Sequence, residues 1–252
     1  MSNNKWGGLI KQQGFAIILV DGQNMLVDAG KNDSVDTIIN YLKTNGVLKL
    51  DYLVGTHLHE DHIGSLDAVI KNFQIGKFLM PKVATNTQTF RDVLTAVKNK
   101  GLQINTAKAG VDIVDIDKLS VKILAPCNTA YEDLNNYSAV IKVKYGDVAF
   151  ILTGDAEGLS ESEILESKAD IMAQVLKAGH HGSNSSTSLP FLNAVSPQYA
   201  VISVGAGNDY HHPHQITLEK LKKAGVNVLR TDEKGTIIFA TDGKEIAVAT
   251  EK

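Results

Sequence analysis

Cysteine is almost missing from this chain. Cys127 is the only one in 252 residues, so no internal disulfide can form, and an odd thiol fits a reducing compartment. On its own it reads as a small buried apolar residue. Aromatic residues make up 6%, and no apolar run approaches the ~18 residues that a membrane-crossing helix needs. The start, Met1-Ser2-Asn3-Asn4-Lys5-Trp6, lacks the charged and then apolar regions of a secretion signal, so the expectation is a cytoplasmic protein with no membrane contact. A basic excess is missing too. The net charge is -3, and no local run of Lys or Arg offers a nucleic-acid footprint, so any attraction for phosphate has to come from a site. There is no Gly-x-Ser-x-Gly elbow, and no motif surrounds Cys127, which argues against covalent catalysis.

What is present is an ordinary globular balance, 43% hydrophobic and 21% charged, in a chain long enough to bury a full core. The eight histidines fall into three short groups: His57, His59 and His62; His180 and His181; His211, His212 and His214. The densest stretch is Thr56-His57-Leu58-His59-Glu60-Asp61-His62, directly after the apolar Tyr52-Leu53-Val54-Gly55.

Period and turn signals place these groups. Phe15 to Val20 and Met25 to Val27, joined at Asp21-Gly22, predict an opening hairpin with Asp28 at a strand end. Val35, Ile38, Ile39 and Leu42 predict a helix stopped by Gly46. Leu50 to Gly55 is a short buried strand, and Ile63, Leu66, Val69, Ile70 and Phe73 predict one helix whose first turn carries Asp61 and His62. Ile141, Val143 and Tyr145 alternate with Lys142 and Lys144, a strand whose lysines should be solvated. Val148 to Leu152 delivers Thr153-Gly154-Asp155, Gln174 to Lys177 delivers Gly179-His180-His181-Gly182-Ser183, and Tyr199 to Val204 delivers the loop up to His214. Hairpins and βα units in both halves predict an α+β (αββα) fold, two mixed sheets sandwiched between helices. No linker-like segment splits residues 1-252, so a single domain is expected.

On extended backbone, residues i and i+2 face the same way, so His57 and His59 can grip one ion, while Asp61 and His62 face a second position. Imidazole with carboxylate suits Zn²⁺, with Mn²⁺ or Fe²⁺ as alternatives, over a hard all-oxygen ion.

The His-x-His-x-Asp-His pattern, with Asp28 in Leu26-Val27-Asp28-Ala29-Gly30 before it, resembles the metallo-β-lactamase superfamily over nearly the whole chain. Within it, the likeness is to the metallo-β-lactamase domain of ComEC-type competence proteins. It is carried by Gln13-Gly14, by Asn135 to Val140, by Leu152-Thr153-Gly154-Asp155 and by Leu176 to Ser183. The last stretch is also similar to a motif of bacterial phosphorylcholine esterases. The resemblance implies two divalent cations. His57 and His59 would hold the first, Asp61 and His62 the second, Asp155 would bridge them, and one imidazole of the His180-His181 pair, His180 before His181, would complete the second site. It implies that His181 touches substrate and that Asp28 orients a ligating imidazole. His214, before His212, is expected at the rim as a phosphate contact or general acid.

Two departures stand out. No His occurs between His62 and His180, which leaves the first position a ligand short, with a water, Asn136 or Ser138 to fill it; Phe15 stands where the ComEC pattern is acidic. The membrane channel of those proteins is absent from this sequence, so DNA uptake does not carry over. The function implied is a dinuclear metal-dependent hydrolase, a phosphodiesterase or nuclease-like enzyme with a metal-bound hydroxide as nucleophile and Asp61, His181 and His214 as catalytic residues. The runner-up is hydrolysis of a carboxylic ester, thioester, lactone or β-lactam at the same metals. A catalytically inactive metal-binding module is the third reading. The expected partner is a small-molecule or nucleic-acid phosphodiester substrate.

Overall fold

The structure is a computed structural model that describes residues 6–11, 14–20 and 22–252. Gln13, Asp21 and the first five residues, on which parts of the opening expectations fall, lie outside the described residues.

The first half runs β1 (Trp6–Lys11), β2 (Phe15–Val20), β3 (Gln23–Val27), α1 (Val35–Thr44), β4 (Lys49–Val54), α2 (Glu60–Ile63), α3 (Leu66–Asn72), β5 (Gln74–Met80), α4 (Gln88–Lys100) and β6 (Ile104–Thr106). The second runs β7 (Asp112–Ile116), β8 (Leu119–Ala125), β9 (Val140–Tyr145), β10 (Val148–Leu152), α5 (Gly158–Glu166), β11 (Val175–Lys177), α6 (Leu189–Val195), β12 (Tyr199–Ile202), α7 (Gln215–Lys223), β13 (Asn227–Arg230), α8 (Thr231–Lys234), β14 (Ile237–Thr241) and β15 (Ile246–Thr250).

One sheet has the order β15-β14-β1-β2-β3-β4-β5-β6 and the other β13-β12-β11-β10-β9-β8-β7. Each is antiparallel on one side and parallel on the other, the change falling at β3/β4 in the first and at β10/β11 in the second. Alternation explains the layers. Ala16, Ile18 and Val20 of β2 meet Ile141 and Val143 of β9 and Phe150 and Leu152 of β10 in the core between the sheets. Ile17 and Leu26, one residue out of phase, face outward and pack under Ile38, Leu42, Val69 and Val93 of α1, α3 and α4. The other sheet mirrors this, with Ile151, Leu176 and Ala200 beneath Ile164, Phe191 and Leu221 of α5, α6 and α7. The result is the expected αββα order, and each fully buried Leu, Ile or Phe contributes about 1.5–3 kcal/mol.

Three local expectations are corrected. The helix predicted from Ile63 to Phe73 is broken into α2 and α3, because Gly30 to Asn32 docks at the break. Ser65 Oγ donates to Lys31 O at 2.5 Å, and a Cβ at Gly64 would collide with the backbone of Lys31 and Asn32. Lys142 is buried, donating from Nζ to Asp170 O at 2.9 Å, and only Lys144 of that pair is solvated. Cys127 is exposed, with its thiol pushed up by partial burial and by Glu163. Among the described residues no helix is long and apolar enough to cross a membrane.

Candidate metal centre

The parallel strands of both sheets end on one edge of the sandwich, and the loops that leave them build the site. Crevices outside the carboxyl ends of such strands are where α/β sheets bind ligands. β3 delivers Asp28, β4 delivers Thr56 to His59, β10 delivers Asp155, and β11 delivers His180 and His181.

Asp61, His62, Asp155 and His181 each bring a ligand atom to one place, all within 4.8 Å of one another. His181 Nε2 lies 3.3 Å from Asp61 Oδ2, from Asp155 Oδ2 and from His62 Nε2. Asp155 Oδ1 is 3.2 Å from His62 Nε2 without hydrogen-bonding geometry, so this buried atom has no hydrogen-bond partner. The outer nitrogens of both imidazoles are already used. His62 Nδ1 donates to Asp28 Oδ2 at 2.7 Å and His181 Nδ1 donates to Ser203 O at 2.7 Å, which turns both Nε2 lone pairs inward. An orphaned buried carboxylate oxygen between two aimed imidazoles is what a divalent cation would satisfy. The donor set fits one.

His57 Nε2 lies 3.1 Å from His59 Nδ1 and 3.9 Å from Asp155 Oδ2, so a second group converges on the same carboxylate from the β4 side. Asn136 and Ser138 are engaged by neighbouring backbone. Asn136 Oδ1 accepts from Ser160 N at 3.3 Å, and Ser138 Oγ accepts from Asp155 N at 3.0 Å, so both support the loops.

A family model described as the metallo-beta-lactamase superfamily matches residues 10–206. The chain belongs to that superfamily. It is 38% identical over 202 residues to ComE operon protein 3 of Bacillus subtilis, covering 80% of this chain and 26% of that protein. It is 32% identical over 230 residues to competence protein ComA of Neisseria gonorrhoeae, covering 90% of this chain and 31% of that one. The chain thus spans about a quarter to a third of the length of these ComEC-type relatives. Among solved structures, a metallo hydrolase from the archaeon Ignicoccus hospitalis superposes with a TM-score of 0.60 at 17% identity, over 93% of this chain and 98% of that one. That likeness shows the fold.

The superfamily motif residues are brought together as the sequence implies, with two exchanges. His180 does not face the Asp61–Asp155 group. His180 and His181 both adopt left-handed backbone (φ 45° and 52°), which turns the adjacent side chains apart. His180 Nδ1 donates to Glu157 Oε1 at 3.0 Å, and Ser185 Oγ donates to the same oxygen at 2.7 Å. Glu157 is a site residue that sequence reasoning missed, although it stands two positions after Asp155. The second exchange concerns the rim. His214 Nδ1 accepts from Asn184 N at 3.0 Å, whereas His212 lines the cleft and stacks on His181 with ring centroids 6.4 Å apart. The cleft, about 790 Å³, is walled by Lys31, Glu60 and Asp61 on one side and by His180, Asn208 and His212 on the other.

The electrostatics of this metallo-β-lactamase site follow from burial and charge. Burial pushes Asp155 up, but the neighbouring imidazoles of His181 and His62 outweigh it and hold the carboxyl well below the usual range. Asp61 is lowered in the same way against the same desolvation. The imidazoles respond in the opposite sense. Burial favours neutral His181, yet Asp155 and Asp61 raise it to about 9, and Asp155 with Asp28 raises His62. His57 is pushed down by burial and by His62, so its ring is neutral at pH 7.

Proposed function

We propose that this chain is a metal-dependent phosphodiesterase. In this reading Asp61, His62, Asp155 and His181 hold one divalent cation and His57, His59 and Asp155 a second, with Zn²⁺ in first place. The observation that carries it is the convergence of Asp61, His62, Asp155 and His181 within 4.8 Å, with the orphaned Asp155 Oδ1 among them. Bound divalent cations there would lower the pKa of a water towards neutrality and neutralise charge on the oxygens of a phosphodiester.

The chain's own residues supply the rest. Asp155 reaches the imidazoles of both positions and so fixes their spacing. Asp61, the more exposed of the two carboxylates, faces the cleft. Its lowered pKa makes it an acceptor that orients an attacking water rather than a store for its proton. His180, held through Nδ1 by Glu157, presents Nε2 to the cleft, where it can hand a proton to the departing alkoxide. His212 lines the same wall. The preference for phosphorus over carbon rests on the similarity of Leu176 to Ser183 to the phosphorylcholine esterase motif. The lone, protonated Cys127 fits a cytoplasmic placement.

The test is a substrate pair, bis-p-nitrophenyl phosphate and p-nitrophenyl acetate, offered to chelated protein before and after addition of Zn²⁺ or Mn²⁺. Phosphodiester turnover that appears with metal is expected. Ester-only turnover moves the enzyme to the acyl class, and turnover of neither with metal bound leaves a binding module.

A further inference from the structure

One aromatic residue on the cleft wall has no part in that scheme. Tyr210 is 73% exposed and, among the residues whose burial is described, is the only Phe or Tyr in the exposed class. Burying an aromatic ring is strongly favourable, so an exposed one at a cleft rim marks a contact surface. Its position is specific. The Tyr210 ring stacks on His212 at 5.7 Å and 25°, and His212 stacks on His181 at 6.4 Å and 20°. Three near-parallel rings thus lead from solvent to the metal centre. One face of Tyr210 is taken by His212, and its exposure leaves the other open.

The charge of the cleft narrows the occupant. Among the described residues, Lys31 is the only Lys or Arg on its wall, against Asp33, Glu60, Asp61 and Asp155. A long polyanion gains affinity by releasing counterions to many basic groups, and this wall cannot offer that. Affinity has to come from the metal centre and from ring contacts, which suits a small substrate.

We infer that Tyr210, backed by His212, is a stacking platform for a nucleobase, and that the substrate is a short phosphodiester with such a base beside the scissile bond. The inference rests on the phosphodiesterase reading above and deepens it. Stacking of a base on an aromatic side chain is worth about 5- to 150-fold in binding. One wall cation predicts a weak salt dependence, with a log–log slope of magnitude about 1 or less.

The test uses two non-hydrolysable dinucleoside methylenephosphonates, identical except that one base is replaced by hydrogen in the second. Binding to the metal-loaded protein is read by calorimetry. The base-bearing analogue is expected to bind about tenfold tighter or more, the ratio to fall towards one in Tyr210→Ala, and to persist in Tyr210→Phe. Equal binding, binding of neither analogue, or a ratio that survives Tyr210→Ala overturns the platform. Turnover of bis-p-nitrophenyl phosphate separates the two readings. Turnover without base discrimination sinks the platform alone, and discrimination without turnover sinks the hydrolase while the platform stands.

Discussion

Asp28 Oδ2 stands 2.7 Å from Nδ1 of His62, and because an ionised carboxylate only accepts, the neutral imidazole keeps its proton on Nδ1 and its lone pair on Nε2. Asp28 is 2% exposed and left-handed (φ 61°), and Oδ1 accepts from Thr56 N at 2.7 Å. Asn tolerates that backbone but must turn its NH₂ towards His62 if it is to keep the Thr56 bond. His62 then has to move its proton to Nε2, where a cation would bind. Asp28→Asn is therefore expected to weaken metal binding by about 10- to 100-fold with the fold intact. Competition against a chromophoric chelator measures it, and an unchanged Kd would show that Asp28 orients nothing.

The same carboxylate reaches the His57–His59 pair at one remove. Thr56 Oγ1 donates to Asp28 Oδ2 at 2.8 Å and lies 3.2 Å from His57 Nδ1, so it accepts the His57 proton and leaves the Nε2 lone pair on the side of His59. Thr56→Val removes the relay and strands a buried N–H, at a cost of about 1–3 kcal/mol. The expected outcome is selective: the ion held by His57 and His59 is lost before the one held by His62 and His181. Metal content by elemental analysis should fall towards one ion per chain. Parallel loss of both ions would contradict the relay.

How far these relationships are legible in the sequence varies with what decides them. His57 and His59 follow from period-two geometry on extended chain, and the layer order follows from alternation in β2 and β10 against helical spacing in α1. The choice between His180 and His181 rests on two consecutive left-handed residues that no local propensity favours, so spacing could not settle it. Lys142 and Cys127 depart from their expected exposure for a related reason. Asp170 lies 28 positions from Lys142 and covers it, while Cys127 follows directly on buried Ala125 and Pro126 yet turns outward. The choice between His212 and His214 depends on a contact from Asn184, 30 positions away.

The exchange of His180 and His181 gives a paired prediction. His181→Ala removes an Nε2 that lies 3.3 Å from Asp61 and from Asp155, so both metal content and turnover should fall. His180→Ala removes the Glu157 and Ser185 hydrogen bonds and the edge contacts with His212 and His181, but no atom of the Asp61–Asp155 group, so metal content should stay near that of the parent. If His180 protonates the leaving group, kcat should drop by about 10²- to 10⁴-fold. The drop should be smaller for a p-nitrophenolate leaving group, which needs little protonation, than for an alkoxide. Loss of metal in His180→Ala, with retention in His181→Ala, would return the ligand role to His180.

Removing the metal should reverse the pH dependence of stability around neutrality. In the chelated protein Asp155 and Asp61 raise His181 to about 9, above the ordinary 6.5. A raised folded-state pKa gives stability that is complete below about 6.5 and is lost as pH rises through about 9. Asp61 and Asp155 are held below 3.8, so their contribution is present above that value and lost as pH falls below it. The chelated protein is thus expected to be most stable between these limits and to lose Tm steadily from pH 6.5 to 9. Metal binding needs the same imidazoles deprotonated, so its contribution grows over the same range. The Tm difference between Zn²⁺-loaded and chelated protein should widen with pH, and His181→Gln should flatten the chelated slope. A chelated Tm that is level or rising from pH 6.5 to 9 would mean that His181 is not paired with these carboxylates in solution.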